Sequence, residues 1–419
     1  MSEPKHPINV AHDKAVPLAA RVPTSQAPQS GGIYAATTAF VVLFCIVGLA
    51  LWGLPFYYDF MVQQFGWTRA QVTSGNAISK LVIGPAFGFF AGWIIDRFGP
   101  RLMMMTGIAM AGAALVGLGS ISSLGMFYLF YFFNALGYVC GGPLPNQVLL
   151  TRWFDKGRGK AMGFAYLGIG FGGAAVPWIA TALITKFGWQ ASLRYMGVGI
   201  VAVSLPLAFF LKETPAPAKS ESRAVPLSVK AAFKSGSFYL LTLGSMCSIA
   251  AVSGTQQNLK LFLSLDRHFS QMSAARVLSL ILTFSILGRL VIGWLADRIS
   301  KKHVVLLTYF LVAVGIPLLF LGRNPIVLYM SAAVFGTGLG GDYMVIPLIA
   351  AELFNGQMLG RLLGVILTAG GMAEAVSPWM MSYLRDTTGS YLASCIVLVI
   401  VALLGMIAIL GLPNRQKAT

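Results

Sequence analysis

Runs of about twenty mainly apolar residues, the length that crosses the hydrocarbon core of a bilayer as a helix, recur along nearly the whole chain. No other feature restricts the fold as tightly. Charged residues are only 10% of the 419 and apolar ones 57%, against about 25% charged in an ordinary soluble chain. So few charges cannot cover a soluble surface, and lipid must be the solvent for much of the molecule. Hydropathy places spans at Ile33–Tyr58, Val72–Ile95, Leu102–Ser122, Met126–Leu150, Ala161–Thr185 and Leu193–Leu211, and again at Phe238–Leu263, Ala274–Ala296, Val304–Leu321, Ile326–Leu353, Leu362–Leu384 and Tyr391–Leu412. The expected fold class is an all-α membrane protein of twelve transmembrane helices in two six-helix halves. The expected organisation is a disordered cytoplasmic tail over 1–32, a first half over 33–212, a polar cytoplasmic linker over 213–235, a second half over 236–412 and a short tail over 413–419.

The formal charge of +17 does not indicate nucleic acid, because the basic residues lie in short connections between apolar runs. With the N-terminus in the cytoplasm, roughly 20 Lys and Arg fall on the inner side. About 8 fall outside, namely Arg69, Lys186, Arg194, Lys260, Arg267, Arg276, Arg323 and Arg385. That bias orients both termini to the cytoplasm of a cell (inner) membrane. Cys45, Cys140, Cys247 and Cys395 sit at unrelated spacings inside apolar runs and read as small buried side chains. The four histidines lie in tails or loops. No nucleophile–base pair, metal cluster or cofactor motif is evident, so an enzyme is not expected, nor is a cofactor. The N-terminus lacks the apolar stretch of a signal peptide.

The chain also repeats itself. Gly92-Trp93-Ile94-Ile95-Asp96-Arg97 returns as Gly293-Trp294-Leu295-Ala296-Asp297-Arg298, an offset of 201 positions. The same offset takes Gly159 to Gly360, Gly163 to Gly364, Pro177-Trp178 to Pro378-Trp379 and Gly188 to Gly389. Several matches at one offset indicate a duplicated six-helix unit, and an even helix count inserts both copies with the same orientation. The segment Gly92 to Arg101 resembles the signature loop of the major facilitator superfamily, with a looser second copy from Gly293 to Lys302. The resemblance covers about residues 33–412. It implies a secondary transporter with its substrate site between the halves near the midplane. It also implies gating roles for Asp96, Arg97, Arg101, Asp297 and Arg298.

Ionisable side chains inside a membrane helix cost several kcal/mol, so each is a functional candidate. Glu374 lies mid-helix between Arg361 and Arg385. Asp342 stands ten residues before Glu352, roughly 15 Å from that edge of the membrane. Arg289 stands eight before Asp297, roughly 12 Å in. Lys80 falls in the outer half of its helix. Arg289 leads the substrate-binding candidates: a guanidinium stays charged and matches a carboxylate with two parallel bonds. Gly88 takes its place in the first repeat, so the arginine is not part of the duplicated scaffold. Asp342 and Glu374 are the candidate proton carriers, since gain and loss of a nearby guanidinium shifts a buried carboxyl. Lys80, Asn146, Gln256, Gln257, Tyr57 and Tyr343 are further candidates for contacting a small polar substrate. The glycines Gly168, Gly170, Gly172 and Gly173 read as helix contacts, and Gly141-Gly142-Pro143 and Gly340-Gly341 as close packing or bends.

Gly288-Arg289-Leu290-Val291-Ile292-Gly293 resembles helix 8 of the monocarboxylate transporters and oxalate–formate antiporters, where an arginine at this position binds the substrate carboxylate. Phe65-Gly66-Trp67-Thr68-Arg69 is also similar to those families. Ser285 stands where many monocarboxylate transporters have an aspartate, Pro55-Phe56-Tyr57 where they have a lysine, and Glu374 where the oxalate–formate exchangers have a second cation. The expectation is a monomeric symporter of a small monocarboxylate anion and a proton, with Asp342 or Glu374 replacing the missing aspartate. An organic-anion exchanger of oxalate–formate type and a proton-driven multidrug exporter are the alternatives.

Overall fold

The computed structural model describes residues 29–154, 158–212, 235–322, 324–354 and 356–413. The expected tail before residue 29, the linker over 213–234 and the tail after 413 lie outside the described residues. The described residues form helices and no strand, as lipid requires of segments whose backbone groups must be bonded internally. The helices are α1 (Gly31–Phe65), α2 (69–98), α3 (100–118), α4 (Leu124–Trp153), α5 (Arg158–Phe187) and α6 (Trp189–Phe209). The second half comprises α7 (Gly236–Asp266), α8 (Gln271–Arg298), α9 (Lys301–Leu321), α10 (Pro325–Leu353), α11 (Gly356–Thr388) and α12 (Tyr391–Leu410). Among the described residues nine helices are long and apolar enough to cross a membrane by composition alone, and α10 joins them as a bent span. The two remaining, α2 and α11, are the ones that carry Lys80 and Glu374.

Several boundaries depart from the hydropathy reading, each for a local reason. The loop expected between α2 and α3 shrinks to one residue: the helix runs on from Arg69 to Leu118 except at Gly99, where φ is 81°. Only glycine takes that conformation cheaply. Helix α1 is not uniform. It widens into a π-helical stretch over Phe44–Leu51, tightens at Leu54–Tyr57, then resumes over Tyr58–Phe65. Pro55 has no N–H to give and so interrupts the regular ladder there. Helix α4 stops at Gly142 and restarts at Pro143, the bend its Gly-Gly-Pro sequence indicates. Helices α2 and α8 start on matching caps: Thr68 accepts from the Gln71 N–H and Ser270 from the Ser273 N–H.

The repeat is visible in the backbone. Gly188 and Gly389, 201 positions apart, both adopt positive φ (80° and 74°) where α5 turns into α6 and α11 into α12. The halves meet along α2 against α11 and α5 against α8, pairs that the duplication exchanges, with α1 touching α7 between them. Within the first half α1 lies on α5, and small residues set that distance. A Cβ on Gly168 would stand 2.2 Å from the Phe40 carbonyl oxygen, and one on Gly172 2.5 Å from that of Phe44. The next position is equally close to α1, since a Cβ on Gly173 would meet the Trp52 ring at 2.5 Å. These glycines are helix contacts, as their setting in an apolar run indicates.

Gly172→Ala is therefore expected to push α1 from α5 and cost about 1–3 kcal/mol. Gly163→Ala, on the same helix but with nothing within 4 Å of the added carbon, should stay within about 0.5 kcal/mol. Melting temperatures of the two detergent-purified variants, scanned at one rate, give the comparison.

Candidate functional site

Where α1, α2, α7, α8, α10 and α11 converge they line a cavity. Its charged lining is Lys80 from α2, Arg289 from α8 and Glu374 from α11; its neutral polar lining is Ser253, Gln256 and Gln257 from α7. The rest is apolar: Leu51, Trp52, Pro55, Phe56, Val252, Leu278, Ile281, Leu282 and Leu339. Pro55 and Phe56 reach it because α1 breaks its regular helix there. Lys80 Nζ lies 2.5 Å from Glu374 Oε1, an ion pair that joins the two halves across the cavity wall. Asn76 Nδ2, one turn earlier on α2, donates to the Glu374 backbone carbonyl at 3.4 Å. Glu374 stands 201 positions after Gly173, so the duplicated interface is apolar on one side and charged on the other.

Arg289 extends along the α5–α8 contact. A Cβ on Gly170 would lie 3.7 Å from its Nη1, so the glycine leaves room for the guanidinium. Its own helix is held close to α10, where a Cβ on Gly340 would meet the Ser285 carbonyl oxygen at 2.1 Å. Trp178 Nε1 donates to Ser279 Oγ (2.8 Å), which donates to the Ala174 carbonyl (2.9 Å), a second polar tie between the halves.

Of the residues singled out from sequence, Arg289, Lys80, Gln256, Gln257 and Glu374 share this one cavity. Others lie elsewhere. Tyr57 is fully buried and shares a hydrogen bond with Ser192 Oγ at 2.8 Å, so it anchors α1 to α6 and leaves the lining to its neighbour Phe56. Asn146 is buried, donating to the carbonyls of Gly141 (2.9 Å) and Gly142 (2.7 Å), and so closes the break in α4. Asp342 is wholly buried and is not part of the cavity lining. Ser248 Oγ donates to its Oδ1 at 2.5 Å, and among the described residues its Oδ2 has no hydrogen-bond partner. Arg101 donates to the Phe209 carbonyl and stacks on that ring at 5.4 Å, both within the first half. Arg97 lies over Phe98 and Arg298 over Trp294. The side chains of Asp96, Asp297 and Tyr343 lie outside the described residues.

Sequence reasoning missed the end of the bundle opposite residues 96–101, here called the distal end. Lys260 and Asp59, both 0% exposed, pair at 2.7 Å. Lys260 is thus no loop charge, as hydropathy suggested, but the centre of an interface. Arg69, also counted as a loop charge, is buried and pairs with Asp266 at 2.5 Å; Arg385 binds the other oxygen of Asp266 at 2.7 Å. The Ala70 N–H donates to Asp386 Oδ2 at 2.9 Å. Asp59, Arg69 and Ala70 belong to the first half and their partners to the second, so these bonds hold the distal end shut. A signal existed: Asp59 and Lys260 are opposite charges separated by the repeat offset itself.

Comparison with known proteins agrees with this architecture. The family model described as Major Facilitator Superfamily matches residues 40–302 and 241–419. The chain is 26% identical over 375 residues to the uncharacterized MFS-type transporter YcxA of Bacillus subtilis (strain 168), covering 85% of this chain and 90% of that one. It is 26% identical over 429 residues to monocarboxylate transporter 11 of Homo sapiens, covering 95% and 87%. A crystal structure of a bacterial homolog of the human lysosomal transporter Spinster, inward-facing and unoccupied, superposes with a TM-score of 0.74 at 14% identity over 91% of this chain and 97% of that one.

The Lys80–Glu374 contact is expected to act as a coupled unit in stability. Lys80→Gln and Glu374→Gln should each destabilise the protein, and the double variant should cost less than their sum by about 0.5–3 kcal/mol. Denaturant unfolding of the four proteins in one detergent measures that coupling; additive losses would mean the pair contributes nothing.

Proposed function

Because the chain belongs to the major facilitator superfamily and is a multi-pass membrane transporter, we propose that it carries a small monocarboxylate together with a proton by alternating access. One observation supports this reading above the rest. The cavity wall holds two cations, Lys80 and Arg289, and one carboxylate, Glu374, already tied to Lys80. Arg289 adds a guanidinium to this lining, a group that matches a carboxylate with two parallel bonds. The apolar remainder of the wall suits a short carbon chain or ring, and Gln256 and Gln257 suit a hydroxyl or keto oxygen. The human monocarboxylate transporter among the relatives points to the same cargo class.

Coupling follows from competition. An arriving carboxylate bound by Arg289 competes with Glu374 for Lys80, and the displaced Glu374 takes up a proton before the halves can rock. Releasing substrate returns Lys80 to Glu374 and expels the proton. Asp342, buried beside Ser248, is the second acid able to serve. The positive-inside bias makes residues 96–101 cytoplasmic and the distal end external in a cell inner membrane. The distal ion pairs then close the outside, and the protein works as a monomer whose halves open inward. Arg97, Arg101 and Arg298, with Asp96 and Asp297, would govern the cytoplasmic closure.

A second reading has its own support. Lys80 freed from Glu374 would give the cavity two cations, which suits exchange of dianions without a proton. Labelled-lactate uptake into proteoliposomes separates the two. The symporter reading expects uptake accelerated by an inward proton gradient, and abolished in Arg289→Ala by a loss of about 2–5 kcal/mol of substrate binding. Counterflow indifferent to pH would support the exchanger, and no monocarboxylate flux from folded protein would defeat the substrate class.

Glu374→Gln should keep lactate counterflow but lose gradient-driven accumulation. If Asp342→Asn shows that phenotype and Glu374→Gln does not, the proton belongs to Asp342.

A further inference from the structure

The distal ion pair has the form of an occupied ligand site. Lys260 Nζ and Gln271 Nε2 both donate to the same carboxylate oxygen, Asp59 Oδ2, at 2.7 and 2.9 Å. Lys260 Nζ is aimed by two acceptors, Ser264 Oγ at 2.9 Å and Gln271 Oε1 at 2.5 Å. Both groups that hold the carboxylate, Lys260 and Gln271, and the Ser264 hydroxyl that aims Lys260, come from α7 and α8 of the second half. The carboxylate alone comes from the first half. Any rocking motion that opens the distal end therefore withdraws Asp59 and leaves Lys260, Gln271 and Ser264 assembled in place. The rings of Phe56 and Phe60, 5.7 and 5.5 Å from Lys260 Nζ, lie on the same stretch of α1 as Asp59 and leave with it.

Two further observations favour a replaceable ligand. Asp59 Oδ1 is buried without a hydrogen-bond partner among the described residues, so this carboxylate is only half satisfied where it sits. The position also adjoins the central cavity: Phe56 lines that cavity, as do Gln256 and Gln257, one turn before Lys260 on α7. We propose that Lys260, Gln271 and Ser264 form a second, outer carboxylate site, filled in the closed state by the chain's own Asp59 and offered to an external carboxylate when the distal end opens. Asp59 is then a tethered competitor of the substrate, and the substrate's carboxylate is what keeps the buried lysine compensated while the gate is open. This inference rests on the reading that the cargo is a carboxylate and the distal end external.

A simple lock and a ligand site predict different things. If the pair only locks the gate, Asp59→Asn and Lys260→Gln both loosen it, and both lower the apparent KM for external lactate by enriching the open state. If Lys260 binds the carboxylate, Asp59→Asn lowers that KM, by roughly tenfold for removal of a tethered competitor, while Lys260→Gln raises it. The double exchange Asp59→Lys with Lys260→Asp keeps a neutral pair and guards against misfolding of the single variants; it should raise the KM as well. Movement of both single variants in the same direction, or an unchanged KM in the exchange, overturns the proposal. A binding readout separates its failure from that of the transport reading. In an Arg289→Ala, Asp59→Asn background, sodium lactate should raise the melting temperature relative to sodium chloride, and adding Lys260→Gln should remove that rise. Lactate stabilisation that is absent there, or that survives loss of Lys260, overturns the outer site whatever the flux measurements give.

Discussion

Charge buried away from water has to be compensated, and this molecule compensates it across the boundary between its two halves. Lys80 with Glu374, Lys260 with Asp59, and Arg69 with Asp266 each pair a residue of one half with a residue of the other. Breaking such a pair by removing one partner costs more than the pair returns when intact, because the survivor stays buried and uncompensated. The halves are thus held by contacts that become costly when pulled apart dry and cheap when water or an ionic ligand replaces the lost partner. That property suits an interface that must open and close. An apolar interface of equal area would gain nothing from an arriving anion.

Duplication sets where these pairs fall. The helices that meet across the boundary, α2 with α11 and α5 with α8, are exchanged by the repeat, while α1 and α7 face their own equivalents. Asp59 and Lys260 occupy the same position in the two copies and meet each other. A position facing its own duplicate begins with like residues, and like charges there would repel; opposite charges convert it into a bond. Elsewhere the copies have diverged. Gly173 in the first copy lets α5 lie close to α8 and Trp52, whereas its counterpart Glu374 reaches into the cavity. Gly88 and Arg289 diverge in the same way. The asymmetry of the cavity wall, two cations against one carboxylate, comes from those divergences and from that of Lys80, whose counterpart is Ile281.

Much of the candidate site was legible in the sequence because intramembrane charge is rare. Arg289, Lys80 and Glu374 stood out against apolar runs, and they share one cavity with Gln256 and Gln257. Tyr57 and Asn146 were not distinguishable from lining residues, because a polar group facing a cavity and one bonded to a neighbouring helix have the same composition around them. Tyr57 differs from Phe56 by one position, and only the break at Pro55 decides which of the two faces the cavity. Lys260, Arg69 and Arg385 were taken for loop charges because they lie near span ends, where cations serve as topology signals. Lys260 and Arg69 instead pair with carboxylates of the opposite half, and Arg385 shares the Asp266 carboxylate with Arg69.

What the sequence determined by itself is set by solvent and by arithmetic. Lipid admits only segments that bond their own backbone, so long apolar runs had to be helices, and a single offset of 201 positions required two copies of one unit. Neither inference needs to know which helices touch. The tertiary structure decided the pairings: that Lys80 meets Glu374, that Asp342 is buried against Ser248 and does not line the cavity, and that Asp59 reaches across to Lys260. A side chain's partner depends on the rotation and depth of both helices about their axes. Those are fixed by packing of small residues such as Gly172 against Phe44 and Gly340 against Ser285, at separations in sequence that no local pattern encodes.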